Sequence, residues 1–203
     1  MTSTPVSTNS AFADNAAALP ASWHQIGSRT AALGFDMPSE PDTGTMLRLL
    51  AASRPGGRLL ELGTGTGLAT VCLAAGMAAD STLVSIDIDE RIQAVAREAL
   101  AHDPRIRFVI ADGLDFVRDQ PAGSFDLIFA DAWPGKYDGL DETLALLRPG
   151  GLYVVDDMLP QPNWPANHQA RVDDLTARLK SHPDLATASL SWASGLIIAA
   201  RRS

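Results

Sequence analysis

The sequence predicts an α/β fold: a doubly wound, mostly parallel sheet of seven strands that ends in a C-terminal antiparallel hairpin. Three observations predict it. Residues 58–70, RLLELGTGTGLAT, run from a short apolar segment through three alternate glycines into small residues, the shape of strand, tight turn and helix. Apolar β-type runs then alternate with helical patterns, and repeated βα units imply a parallel sheet covered on both faces. Finally, Phe125–Ala130 is apolar on both faces, as a central parallel strand is.

Each element follows from its residues. The segment Ala21–Ser53 is expected to supply two helices ahead of the sheet. Leu59–Leu62 is the first strand, and Leu68–Ala75 is a helix of small and apolar residues ended by Gly76. Leu83–Ile88 is a β-branched second strand. Arg91–His102 carries Ile92, Val95, Ala96, Ala99 and Leu100 at helical spacing, with Asp89 placed to cap it. Ile106–Ile110 and Phe125–Ala130 are the next strands. Leu140–Leu147 reads as a helix stopped by Arg148-Pro149-Gly150-Gly151, with Leu152–Val155 as the fifth strand. His168–Lys180 is helical. Ala186–Trp192 and Leu196–Ala200 flank Ala193-Ser194-Gly195 as the closing hairpin. The Pro-rich stretch Gln161–Pro165 is too short for a linker and reads as a shaped loop.

Composition narrows the function. With 203 residues, 46% hydrophobic and 20% charged, the chain suits one globular domain, taken as residues 21–203. Residues 1–20 are rich in Ser, Thr, Ala and Asn, carry no basic residue, and read as a flexible tail rather than a secretory signal. No apolar run reaches the ~18 residues needed to cross a bilayer. A net charge of −8 disfavours nucleic acid as a partner. The single cysteine, Cys72, excludes an internal disulfide and reads as packing. A cytoplasmic protein with no membrane or nucleic-acid partner is expected.

The glycine turn is the candidate cofactor site. Gly63, Gly65 and Gly67 form GxGxG rather than the GxGxxG of nicotinamide-dinucleotide folds, and Glu61 just before the turn is foreign to that fingerprint. The first motif resembles that of class I S-adenosylmethionine (SAM)-dependent methyltransferases, (V/I/L)(L/V)(D/E)(L/I)GxGxG. That resemblance implies a Rossmann-like fold and SAM as cofactor, bound around Glu61, Gly63, Thr64, Gly65, Gly67, Asp87, Ile88, Asp112, Gly113 and Asp131. Asp87, at the carboxyl end of the second strand, can accept two hydrogen bonds from a ribose diol; the alternative is a solvated strand end. Asp112-Gly113 alone is a turn, and in the resembled family an acid there accepts from the adenine amino group. Thr64 and Thr66 bond either cofactor or protein. Pro41–Thr45 either caps the helix that follows or reaches the amino-acid end of SAM.

Three further acids follow the fourth and fifth strands: Asp131, Asp156 and Asp157. Clustered carboxylates repel unless a positive charge sits between them, and a hard divalent cation such as Mg²⁺ would serve. The chain here resembles metal-dependent O-methyltransferases, the catechol O-methyltransferase type included. Those enzymes carry an Asp after the fourth strand and an Asp-Asn or Asp-Asp pair after the fifth, which Asp131, Asp156 and Asp157 match. Tyr137 falls where bacterial members' DADKxxY has its Tyr, and Trp133 matches the Trp of the catechol enzyme's DHWK. The resemblance covers roughly residues 40–200. It implies a small hydroxylated acceptor, Mg²⁺ held by Asp131, Asp156 and Asp157, and a family that is often dimeric.

One position departs. The family's Lys, three residues after the first Asp, is Pro134 here. Lys136 is then either the base, working beside Asp131, or a solvated loop charge. His168 is a surface or capping residue, or else an alternative base. Trp23, Trp133, Trp164 and Trp192 either shape the acceptor pocket or pack. Three other functions remain in view: a metal-independent methyltransferase with another acceptor atom, an NAD-dependent oxidoreductase, and a SAM-binding protein without catalysis. The GxGxG spacing and the lack of a Tyr-x-x-x-Lys pair weigh against the oxidoreductase.

Overall fold

A computed structural model describes residues 19–203; the tail expected over residues 1–20 lies outside them, except for its last two positions. Two helices precede the sheet, α1 (Ala21–Leu33) and α2 (Pro41–Ala52). There follow β1 (Arg58–Leu62), α3 (Leu68–Gly76), β2 (Thr82–Asp87), α4 (Glu90–Ala99), β3 (Ile106–Ile110), α5 (Gly113–Arg118) and β4 (Phe125–Ala130). The chain finishes with α6 (Leu140–Ala145), β5 (Leu147–Val155), α7 (His168–Ser181), β6 (Leu185–Leu190) and β7 (Leu196–Arg201).

The seven strands form one sheet in the order β3-β2-β1-β4-β5-β7-β6. The first five pair in parallel, and β7 is antiparallel to both β5 and β6, as the hairpin pattern predicted. Strand alternation sends neighbours to opposite faces. Leu59, Leu83, Leu127, Phe129, Leu152 and Val154 pack against α2 and α3. Leu60, Leu62, Ile86, Ile128, Tyr153 and Val155 pack against α5, α6 and α7. A third cluster joins α1, α3 and α4 through Trp23, Ile26, Val71, Cys72 and Val95, with Leu19 against it. Cys72 and Trp23 are therefore packing residues. Among the described residues no helix is long and apolar enough to cross a membrane.

Three expectations of detail are corrected. Arg148–Gly151 does not separate helix from strand: β5 starts at Leu147 and carries those residues within it. The register jumps there, Phe125 pairing with Leu147 but Leu127 with Leu152, so Pro149 and Gly150 occupy an irregularity in which no continuous ladder is required. Residues 113–118 form a helix that the sequence did not announce, capped by Asp112 through the Leu114 and Asp115 amides at 2.8 and 3.1 Å. Pro41 opens α2 at its first turn, where a missing N–H costs nothing, so Pro41–Thr45 begins that helix rather than capping it. Asp89 caps α4 as expected, accepting from the Arg91 and Ile92 amides.

Candidate active site

Strand β1 pairs with β2 on one side and β4 on the other, so the loops that leave β1 and β4 diverge between them. Open α/β sheets bind ligands at such a reversal. The loop after β1 is held closely. Gly63 donates to Ile86 O at 2.9 Å, and a Cβ on it would stand 3.0 Å from the Asp131 backbone. Gly67 has φ 97°, and a Cβ there would reach to 2.5 Å of the Ala96 Cβ, so glycine is what lets α3 begin against α4. Gly65 donates its amide to Asp87 Oδ2 at 2.7 Å, and Asp89 donates to Asp87 Oδ1 at 2.9 Å. Asp87 is thus no mere solvated strand end.

Glu61 lies beneath this loop and is fully buried. The parallel register sets it beside Ser85, whose hydroxyl donates to Glu61 Oε2, as does Thr70 Oγ1 at 2.6 Å. Burial pushes the carboxyl up to about 8, against the lowering effect of the two hydroxyl bonds. Thr64 Oγ1 pairs with Ser85 Oγ at 2.6 Å and accepts from Gln93 Nε2 at 3.0 Å; Thr66 Oγ1 accepts from Thr30 at 2.7 Å. Both threonine hydroxyls are therefore committed to protein partners.

A cavity of about 390 Å³ opens above the loop. Gly63, Thr64, Gly65, Asp87, Ile88 and Asp131 line it. Ile88 lies just past the end of β2 and is 73% exposed, an apolar side chain with no protein to cover it. Glu61 and Gly67 do not line it. Asp112 and Gly113 stand outside its lining, with Gly113 tight against Pro134.

A second cavity, of about 380 Å³, adjoins the first. Its walls include Trp133, Tyr137, Trp164 and His168, and its floor carries Asp131, Asp156, Asp157 and Lys136. Tyr137 and His168 are joined by a 3.0 Å hydrogen bond between the hydroxyl and Nε2. Trp164 stacks obliquely on His168 with centroids 4.6 Å apart. His168 is buried, which corrects the surface reading, and burial lowers its basicity. Of the four tryptophans, Trp133 and Trp164 line this cavity, whereas Trp23 is core and Trp192 ties its Nε1 to Asp42 O at 2.9 Å. Met37, Pro38 and Ser39, between α1 and α2, line both cavities, as do Asp131, Trp133 and Asp157. No sequence motif announced that segment, nor Ser39 and Ser194, which bond the acids.

A model of the O-methyltransferase family matches residues 18–202. The chain belongs to the O-methyltransferase family. A probable O-methyltransferase of Mycobacterium tuberculosis strain H37Rv is 35% identical over 120 residues, 57% of this chain and 54% of that protein. The chain thus matches about half the length of such curated relatives. Among solved structures, the O-methyltransferase TomG from Streptomyces achromogenes, in complex with SAM, superposes with a TM-score of 0.77 at 24% identity, over 91% of each chain. The O-methyltransferase from Bacillus cereus, in complex with SAH, gives 0.75 at 21% identity, over 90% of this chain and 91% of that one. These two likenesses show the fold.

Within this O-methyltransferase family member, the acids are bonded as follows. Asp156 is almost wholly buried; its Oδ1 accepts from Ser194 Oγ and from the Asp157 amide at 2.8 Å. Burial raises its carboxyl to about 6 against the Ser194 bond. Asp131 Oδ2 accepts from Ser39 Oγ at 3.2 Å, and burial with the neighbouring Asp156 and Asp157 charges pushes Asp131 well above the carboxylate range. Lys136 is only 5% exposed, so the solvated-loop reading is corrected. Its Nζ donates to Asp156 O at 2.6 Å, and burial lowers its basicity while the three acids raise it. Among the described residues no three His, Cys, Asp or Glu side chains are arranged to hold a metal ion. The residues as arranged do not fit Mg²⁺.

Proposed function

We propose that this chain transfers the methyl group of SAM to a hydroxyl of a small molecule. The observation that carries this reading is the pair of cavities meeting at Asp131, Trp133 and Asp157. One cavity has the glycine loop and a strand-end carboxylate suited to a nucleoside. The other has aromatic walls suited to a flat acceptor.

The sulfonium methyl is electrophilic already, so the protein's work is alignment and control of the acceptor's proton. Asp87 holds the ribose hydroxyls while its other bonds brace the loop. Ile88 lies against the adenine. Asp131 stands at the junction, where the acceptor oxygen must come into line with methyl and sulfur. There it takes the hydroxyl's hydrogen bond and keeps a lone pair free. Asp131 takes the proton as the oxygen–carbon bond forms and the carbon–sulfur bond breaks, SAH leaving with the electron pair, while Lys136, on the floor of the same cavity, stabilises the charge developing on the oxygen.

Calorimetric titration with SAH and, separately, NAD tests the cofactor. Binding of SAH alone supports the reading, and binding of NAD alone overturns it. Isotope-labelled SAM with a panel of phenolic and aliphatic alcohols then tests the acceptor; label transfer to nitrogen nucleophiles but to no hydroxyl removes the O-methylation part.

A further inference from the structure

Three acids on one cavity floor repel each other when ionised, and the structure places a buried lysine on the same floor. Its inward course is built into the chain. Trp133 O accepts the amides of Lys136, Tyr137 and Asp138 at 3.1, 2.9 and 3.1 Å, closing a tight turn. Gly135 sits at its tip with φ 81°, where a Cβ would lie 2.3 Å from Leu62 Cδ1. The buried Tyr153 hydroxyl clamps Gly135 O at 2.7 Å. With the turn fixed, the Lys136 stem runs along the Tyr137 ring, Nζ 5.3 Å from its centroid, and ends on Asp156 O. From there its charge acts on Asp131, Asp157 and Asp156.

Among the described residues no carboxylate pairs directly with that ammonium, which acts on the cluster across the cavity floor while the acids keep partners of their own. Asp156 Oδ1 is spent on Ser194 and the Asp157 amide, and Asp131 Oδ2 on Ser39. A hard divalent ion needs about six oxygens at ~2.1 Å, and a fixed ammonium beside them repels it. We infer that the Lys136 ammonium is the resident cation of the Asp131–Asp156–Asp157 cluster, so that methyl transfer by this chain takes no divalent metal there. This rests on the reading of the cluster as the acceptor end of a methyltransferase site. The position that Pro134 leaves without a lysine is thus answered by a lysine two residues on, carried inward by Gly135.

The test is calorimetric titration of the chelator-treated full chain with Mg²⁺ and Mn²⁺, with and without SAH. SAH binding is measured first on the same sample, so loss of the cofactor reading is seen separately from the metal result. No saturable metal binding below about 1 mM, the weak end of protein cation sites, is expected; stoichiometric binding below that concentration overturns the inference. Lys136→Met keeps the stem and drops the charge. It is expected to bind Mn²⁺ at least about tenfold more tightly than wild type, and unchanged affinity overturns the inference. Should Lys136→Met fail to fold, Lys136→Met with Asp157→Asn removes one charge of each sign. Recovery of folding in that pair supports the inference, and a second failure overturns it.

Discussion

The Asp87 carboxylate holds the Gly65 amide at 2.7 Å. One side chain thereby braces the glycine loop and faces the cavity that the loop encloses. Removing it withdraws the loop contact and, on the proposed reading, the ribose contact with it. Asp87→Ala is expected to weaken SAH binding by about 100-fold and Asp87→Asn, which retains an acceptor, by about tenfold. Isothermal calorimetry measures both, and an Ala variant within about twofold of wild type refutes the assignment.

At the start of α3 the limit is steric. Gly67→Ala combines a positive φ with a Cβ 2.5 Å from that of Ala96. A loss of about 2–4 kcal/mol in urea unfolding is expected. Gly65→Val, whose side chain would project toward Phe35 across the cavity above the glycine loop, should abolish SAH binding instead. Wild-type affinity in that variant would show that the ligand does not pass there.

Glu61 makes stability depend on pH. Its folded value of about 8 exceeds the ordinary 4.5, so between those values the native state keeps a proton that the unfolded chain has released. The contribution is complete below the unfolded value and is lost as pH rises through the folded one, at about 1.4 kcal/mol per pH unit. Glu61→Gln mimics the protonated form and removes this dependence. Between pH 5 and 8 wild type should lose about 2–4 kcal/mol more than the variant in urea unfolding. Parallel losses would mean that Glu61 titrates normally.

Asp131→Asn separates chemistry from binding. Turnover should fall by about 100-fold or more while SAH affinity changes by less than about threefold. Single-turnover rates and calorimetry read the two effects independently. Equal loss of both would move Asp131 to the cofactor side alone.

Much of this was legible because it is local. The run from Arg58 to Leu68 fixes strand, turn and helix by residue type, and Asp87 falls at a strand end that its β-branched run announces. What escaped was set by partners distant in the chain. Pro149 and Gly150 look like a helix stop, and only pairing with Phe125 and Leu127 draws them into β5. Lys136 looks like a loop charge, and only Leu62 and Tyr153, packed against Gly135, send it inward. Ser194 reaches Asp156 across 38 positions, a tie that no spacing rule predicts. His168 became a cavity wall through Tyr137 and Trp164, each unremarkable alone.

Met37, Pro38 and Ser39 form part of both cavity walls. A shared partition offers a route for coupling between two occupants, and whatever factor a first guest imposes on the affinity of a second, that second returns in equal measure. If the two cavities hold cofactor and acceptor as proposed, titrations of either are expected to shift with the concentration of the other, and a substitution at Met37 to rescale that mutual dependence without touching a carboxylate.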